Sequence, residues 1–270
     1  MTTQAQLIDA LEDTWRSLDE LVSTFDDADW ERATSCPGWS VKDQLSHIAG
    51  VESHLLGRPQ PEHELPEGLD HVTNDWGRFM EVDIDARRAW PPAQIVDEFR
   101  EVAKERLAYL RGLPDDLDQF SPSVFGAEVP LSRSLPIRVF DCWAHEQDIR
   151  RALDRPGHLS GIAPEVARDR TLRGWSIVWS TQMDPPLSDG TTIVVDVTGP
   201  SATTRTITVS GGRGDLSDEL PAQPDVTLTM PLDALVRLGC GRTDADPTEV
   251  DVAGDSDVAA RLIAAMAVTP

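Results

Sequence analysis

Asp141 and His145 lie four residues apart in the stretch LPIRVFDCWAHEQDIRRAL, residues 135 to 153, and Asp148 follows at i+7 from Asp141. Read as a helix, the stretch has one polar seam between Phe140, Trp143 and Ile149. A carboxylate and an imidazole one turn apart are side-by-side neighbours. On a solvated face such a pair contributes about 0.2–0.5 kcal/mol and does no chemistry. Facing inward, the same two residues are half of a divalent metal site, with a third donor available from His47 on another helix. His47 sits at the edge of the apolar stripe of Val41, Leu45 and Ile48. It is either a ligand pointing into a seam or a core histidine satisfied by a neighbour.

Nitrogen and oxygen donors in this mix suit Zn²⁺, and three protein ligands leave the open position that catalytic zinc keeps. Nickel or iron would accept the same set. His54, seven residues beyond His47, shares its face, but a rise of about 1.5 Å per residue puts it roughly 10 Å further along. Asp148 is either the acceptor that fixes the ring of His145 or an ion-pair partner of Arg151 or Arg138. Arg87, Arg88, Arg237 and Arg242 could meet an acidic substrate or serve as surface arginines. Cys142 follows Asp141 by about 100° of helix turn and does not share the site. Cys36, beside Pro37 and Gly38, reads as a packing residue, and SGGRG at 210 to 214 as a hairpin turn.

The elements that would position these groups change character along the chain. Leu7, Ile8, Leu11, Trp15, Leu18, Val22 and Phe25 recur at helical steps. After the Pro-Gly break in TSCPGWS, Ser40 opens a second helix, with Asp43 completing a capping-box pattern and Val41, Leu45, Ile48, Val51 and Leu55 facing inward. Residues 58 to 75 read as a long loop. Pro91-Pro92 opens a third helix through Leu110, and Ser121 to Pro136 reads as another loop before the helix of the opening motif. From about residue 187, TTIVVDVTG, TRTITVSGG and DVTLTM alternate as strands do. PLDALVRLGCG and SDVAARLIAAMAV read as helices around a short strand, EVDVAGD. The expected architecture is a helical bundle over 1–184, including a connecting helix at LRGWSIVWSTQM, and a smaller α+β domain over 187–270.

Composition narrows the function classes. With 47 acidic against 24 basic residues, the net charge is −23 and the pI near 4.4. Such a surface repels nucleic acid and anionic membranes. No segment approaches the roughly 18 apolar residues of a spanning helix, and MTTQAQLIDALEDTW lacks the basic start of a secretory signal. Three scattered cysteines without a CxxC pattern fit a reduced compartment. The expected location is the cytoplasm. Lys42 and Lys104 stand beside 22 arginines, the bias of a GC-rich genome.

CPGWSVKDQLSHIAG, joined to DCWAHEQDIRRAL about a hundred residues later, resembles the DinB-like metal-binding four-helix bundle. More narrowly, it resembles the mycothiol-dependent maleylpyruvate isomerase family. PDVTLTMPLDALVRLGCGR and VDVAGDSDVAARLIAAMAVTP are similar to that family's second domain, an α+β unit related in shape to sterol-carrier modules. The resemblance implies a zinc site of His47, Asp141 and His145. The family's pattern has Glu at the middle ligand where this chain has Asp141, one methylene shorter. It also implies mycothiol as cofactor, an actinobacterial source, and a small electrophilic substrate. A metal-held thiolate adding to an activated double bond and leaving again gives an isomerase; release of the adduct gives a thiol S-transferase. A non-catalytic binding or stress-response protein, with a structural metal or none, is the alternative. The expected assembly is a monomer or homodimer.

Overall fold

A computed structural model describes residues 2–123 and 127–269. It divides into two compact units, 1–163 and 164–270.

The first unit is helical. Thr3 caps α1 (Gln4–Val22), with its side chain and that of Gln6 satisfying each other's backbone N–H groups. The short α2 (Asp27–Trp30) is capped in the same way by Asp26. Ser40 caps α3 (Val41–Leu55), and the expected reciprocal bond with Asp43 forms. Then follow α4 (Asp75–Arg88), α5 (Pro92–Gly112), a two-stranded ribbon of β1 (Phe120–Pro122) and β2 (Glu128–Pro130), and α6 (Leu131–Ala152). Four long helices close into a ring: α1 packs on α5 and α6, and α3 packs on the same two. Leu11, Leu18, Leu45, Ile48, Phe99, Val139 and Trp143 fill the ring and are fully buried or nearly so. At about 25 cal/mol per Å² of apolar area, burial of such side chains is the main force holding the bundle.

Two segments differ from the sequence expectation. The helix α4 begins at the end of the expected loop and packs on α3 through Met80, with Trp76 and Phe79 beside it. Its buried face also carries Glu81, Asp83 and Arg87, so its period is hidden from a hydrophobicity reading. The expected loop from Ser121 to Pro136 contains strands, and α6 starts at Leu131, with Pro136 inside it. A proline there removes one backbone hydrogen bond without ending the helix. The part of that loop at 124–126 lies outside the described residues.

The second unit opens with α7 (Ile162–Thr181), which begins at the boundary. Its sheet contains β3 (Thr192–Thr198), β4 (Thr203–Ser210), β5 (Arg213–Ser217), β6 (Val226–Pro231) and β7 (Asp251–Gly254), in the order β5-β4-β3-β6-β7. Only the β3–β6 pair is parallel. SGGRG is the turn from β4 to β5, with Gly211 and Gly212 at positive φ. Two helices, α8 (Leu232–Gly239) and α9 (Ser256–Ala264), complete the unit.

The division falls about twenty residues earlier than the 184/187 boundary, because α7 packs within the α+β unit. Trp175 and Trp179 stack at 5.1 Å, and their indole N–H groups donate to the carbonyls of Met266 and Leu262. A Cβ on Gly214 of β5 would stand 2.1 Å from the Ser176 carbonyl oxygen, and one on Gly239 of α8 would stand 2.5 Å from the Thr171 methyl. Such close approaches need glycine. Among the described residues no helix is long and apolar enough to cross a membrane.

Candidate metal centre

The packing of α3 against α6 brings His47, Asp141 and His145 together, with one donor atom from each lying within 4.8 Å of the others. His47 Nε2 is 3.2 Å from Asp141 Oδ2, and His145 Nε2 is 3.6 Å from Asp141 Oδ1. The two rings meet edge to face at 4.6 Å. Donors of a tetrahedral site with bonds of about 2.0–2.1 Å stand roughly 3.3 Å apart, and each histidine nitrogen lies near that distance from a different oxygen of Asp141. Both histidines are buried, while the Asp141 side chain is 26% exposed and gives the cluster its opening to solvent.

The electrostatics prepare these groups as donors. Burial disfavours the imidazolium of His47 and lowers its pKa, although Asp141 partly opposes this. Its Nδ1 is buried without a hydrogen-bond partner among the described residues. A buried polar atom left so costs about 1–3 kcal/mol. Burial would raise the pKa of Asp141, but Arg138, His47 and His145 outweigh it and hold the carboxyl well below its ordinary value. Arg138 Nη1 donates to Asp141 Oδ2 at 2.8 Å.

The acceptor nearest His145 Nδ1 is Gln44 Oε1, at 2.5 Å. Asp148 Oδ2 lies 3.5 Å from the same nitrogen, while Asp148 Oδ1 accepts from Arg151 at 2.5 Å. Gln44 Nε2 in turn donates to Thr34 Oγ1 at 2.7 Å. Sequence inspection gave no role to Gln44; its position three residues before His47, on the same side of α3, was the available signal.

Trp39 completes the wall, its indole 5.0 Å from the His47 ring and 5.6 Å from the His145 ring. Its Nε1 donates to Glu81 Oε2, which also lies 3.1 Å from His71 Nε2. Beside it is a cleft of about 420 Å³ lined by Thr34, Trp39, Ser40, Lys42, Asp43 and Arg88. Arg88 bridges Asp43, Glu81 and Asp85 there. Arg87 is buried between Asp83 and Glu98. In the second unit, Arg237 is paired with Asp233 and Glu249, and Arg242 donates to the Cys240 carbonyl. His54 pairs with Asp83 on α4, away from the three donors.

Cys142 Sγ accepts from Trp15 Nε1 and Arg138 Nη2, turned away from the donors as the helix angle requires. Burial pushes its thiol up to about 12. Cys36 and Cys240 are also buried, and none of the three forms a disulfide.

Comparison with known proteins bears on the fold and the family. Two crystal structures, of the mycothiol-dependent maleylpyruvate isomerase and of a histidine-to-alanine mutant of it, share the fold at TM-scores of 0.56 and 0.55. They are 18% and 17% identical to this chain, and each match covers 94% of this chain and 96% of the other. Uncharacterized proteins from two strains of Mycobacterium tuberculosis are 24% identical over 197 residues, 69% of this chain and 70% of theirs. Residues 11–150 match the mycothiol maleylpyruvate isomerase N-terminal domain and residues 154–261 the MDMPI C-terminal domain. With more than half of its length matched by the N-terminal domain alone, the chain belongs to the mycothiol maleylpyruvate isomerase family.

Proposed function

We propose that this protein is a metal-dependent enzyme that uses a small thiol, mycothiol, to act on a small electrophilic substrate by isomerisation or S-transfer. The observation that carries the reading is the donor set of His47, Asp141 and His145 at coordination spacing with one side open, in a member of this family. A divalent ion held there would supply a thiolate at neutral pH from a thiol whose free pKa is near 8.5.

The chain's own residues prepare that chemistry. Gln44 Oε1 accepts a hydrogen bond from His145 Nδ1 and leaves Nε2 as the metal-facing nitrogen. Burial keeps His47 neutral, and Arg138 keeps Asp141 ionised. Trp39 shields the histidines from bulk water on one side. Because all three cysteines are buried, the reacting sulfur comes from outside the protein. The exposed edge at Asp141 favours an enzyme over a structural metal site, since structural zinc sites are closed by four protein ligands.

Protein purified without chelator should contain close to one equivalent of divalent metal, and mycothiol should bind the metallated form saturably. Turnover of electrophiles with an activated double bond, maleylpyruvate included, is then followed for isomer and thiol adduct. Full-rate turnover without thiol would rule out the thiol mechanism, and a metal-free protein that His145→Ala leaves unchanged would remove the metal.

A further inference from the structure

The hydroxyl of Thr34, in the turn before α3, begins a hydrogen-bond chain that ends on the ring of His145. Thr34 pairs with Trp39 across that turn: its N–H donates to the Trp39 carbonyl at 3.0 Å, and Oγ1 donates to the same carbonyl at 2.8 Å. A hydroxyl has one proton, so toward its other neighbours Oγ1 acts as an acceptor. Gln44 Nε2 donates to it at 2.7 Å and the Cys36 N–H at 3.3 Å. With its amide nitrogen turned to Thr34, Gln44 presents Oε1 to His145 Nδ1, 2.5 Å away. The reversed amide would need the Thr34 proton for itself. Oγ1 and the Trp39 carbonyl would then be two acceptors 2.8 Å apart with no proton between them. The turn therefore dictates the direction of each bond inward, ending with a proton on Nδ1 and Nε2 turned toward Asp141. Asp148 Oδ2, 3.5 Å from Nδ1, is the more distant acceptor.

We propose that Thr34 is a positioning residue: through Gln44, its hydroxyl fixes a proton of His145 on Nδ1 and keeps Nε2 as the nitrogen that faces the other donors. The proton chain stands on the hydrogen bonds alone, while its consequence for a bound metal rests on the metal reading above. A ring held by its second nitrogen offers the first in a fixed direction, and loss of such a partner weakens metal binding. Thr34 is half-buried, lies outside every helix and lines the cleft beside Trp39. Its substitution therefore leaves the bundle core untouched.

The test reads the ring proton directly, by NMR of the full chain carrying isotope-labelled histidine, with and without zinc. Wild type should show a downfield ring N–H resonance that is absent from His145→Ala, because a short hydrogen bond slows exchange with water. Thr34→Val keeps the shape of the side chain and removes the hydroxyl, and the resonance should be lost to exchange. Thr34→Ser should restore it. Zinc affinity, measured by chelator competition, should fall in Thr34→Val by about three- to tenfold, less than the roughly 10–100-fold that follows removal of the orienting partner itself. In a Gln44→Leu background Thr34→Val should cause no further loss, because the chain is already cut. Where the valine variant does not fold, Thr34→Ala is read in the same way. A wild type without the resonance would overturn the proposal. So would a folded Thr34→Val that keeps it, or one whose loss of affinity adds in full to that of Gln44→Leu. Wild type that shows the resonance but binds no zinc would overturn the metal reading while supporting the proton chain.

Discussion

His145 Nδ1 donates to Gln44 Oε1 across 2.5 Å, and that bond sets which nitrogen of the ring is turned toward Asp141. A carbonyl oxygen can only accept, so Nδ1 carries a proton and Nε2 is the nitrogen turned toward Asp141. Gln44→Leu keeps the bulk of the side chain and removes the acceptor. It should weaken divalent metal binding by about 10–100-fold, as loss of a ligand-orienting partner does elsewhere. Competition against a chromophoric chelator measures this, and far-UV circular dichroism should show helicity retained.

Cys142 tests whether the protein supplies its own nucleophile. The thiol is fully buried, held by Trp15 and Arg138, and pushed up to about 12, so it stays protonated at neutral pH. Cys142→Ser should leave metal and mycothiol binding intact, since the hydroxyl keeps an acceptor for Trp15 and Arg138. Native protein should also leave this cysteine unlabelled by iodoacetamide at pH 7.5. Loss of thiol-dependent turnover in a stably folded Cys142→Ser would assign the sulfur to the protein.

The i, i+4 spacing of Asp141 and His145 was legible because both lie on one helix, and the bundle register of α3 needed only the apolar stripe from Val41 to Leu55. The capping box at Ser40 and Asp43 was equally plain. The helix α4 was not legible, since Glu81, Asp83 and Arg87 occupy its buried face. Charged residues go inside only when partners from distant segments neutralise them. Asp83 finds His54 and Gln60, Arg87 finds Glu98, and no local pattern announces those pairings. Gln44 was missed for a related reason, because its role appears only when α3 and α6 are laid together. The placement of α7 with the α+β unit involves glycines at 214 and 239, 33 and 58 residues beyond the end of the helix at Thr181.

Arg87 is a test of structure against substrate binding. Its guanidinium donates twice to Glu98 and once to Asp83 Oδ1, with 5% of the side chain exposed. Arg87→Met removes the ion-pair partner of half-buried Glu98 and one of the partners of buried Asp83, which keeps His54 and Gln60, and should destabilise by about 1.5–3 kcal/mol. Urea unfolding reads the stability. If Arg87 instead binds an acidic substrate, the substitution would raise KM with stability unchanged.

The same network sets an acid limit. Burial would raise the pKa of Asp83, but His54, Arg87 and Gln60 together lower it below its ordinary 3.8. A carboxyl held below its unfolded value takes up its proton later in the folded state than in the unfolded chain. Its stabilisation is therefore complete above about pH 3.8 and is lost as pH falls through the folded value. Asp83→Asn should be less stable than wild type at neutral pH and show a shallower loss of stability below pH 4. Urea midpoints across pH 3 to 7 give the comparison; parallel curves for the two proteins would place the acid sensitivity elsewhere.

Gly38 links the distant loop to the metal centre. Its φ is +77°, and a Cβ there would stand 2.4 Å from the ring of His71. Gly38→Ala therefore meets two separate obstacles: a left-handed backbone, which costs an alanine about 1–2 kcal/mol, and the imidazole. Trp39 is the next residue, and its indole faces both His47 and His145. Displacing the turn should thus weaken metal binding as well as stability, although Gly38 touches no donor. Adding His71→Ala to Gly38→Ala removes the clash and leaves the backbone strain. The double variant should recover part of the loss relative to Gly38→Ala alone, a coupling readable in a double-mutant cycle. If His71→Ala and Gly38→Ala are simply additive, the turn is not seated on that ring.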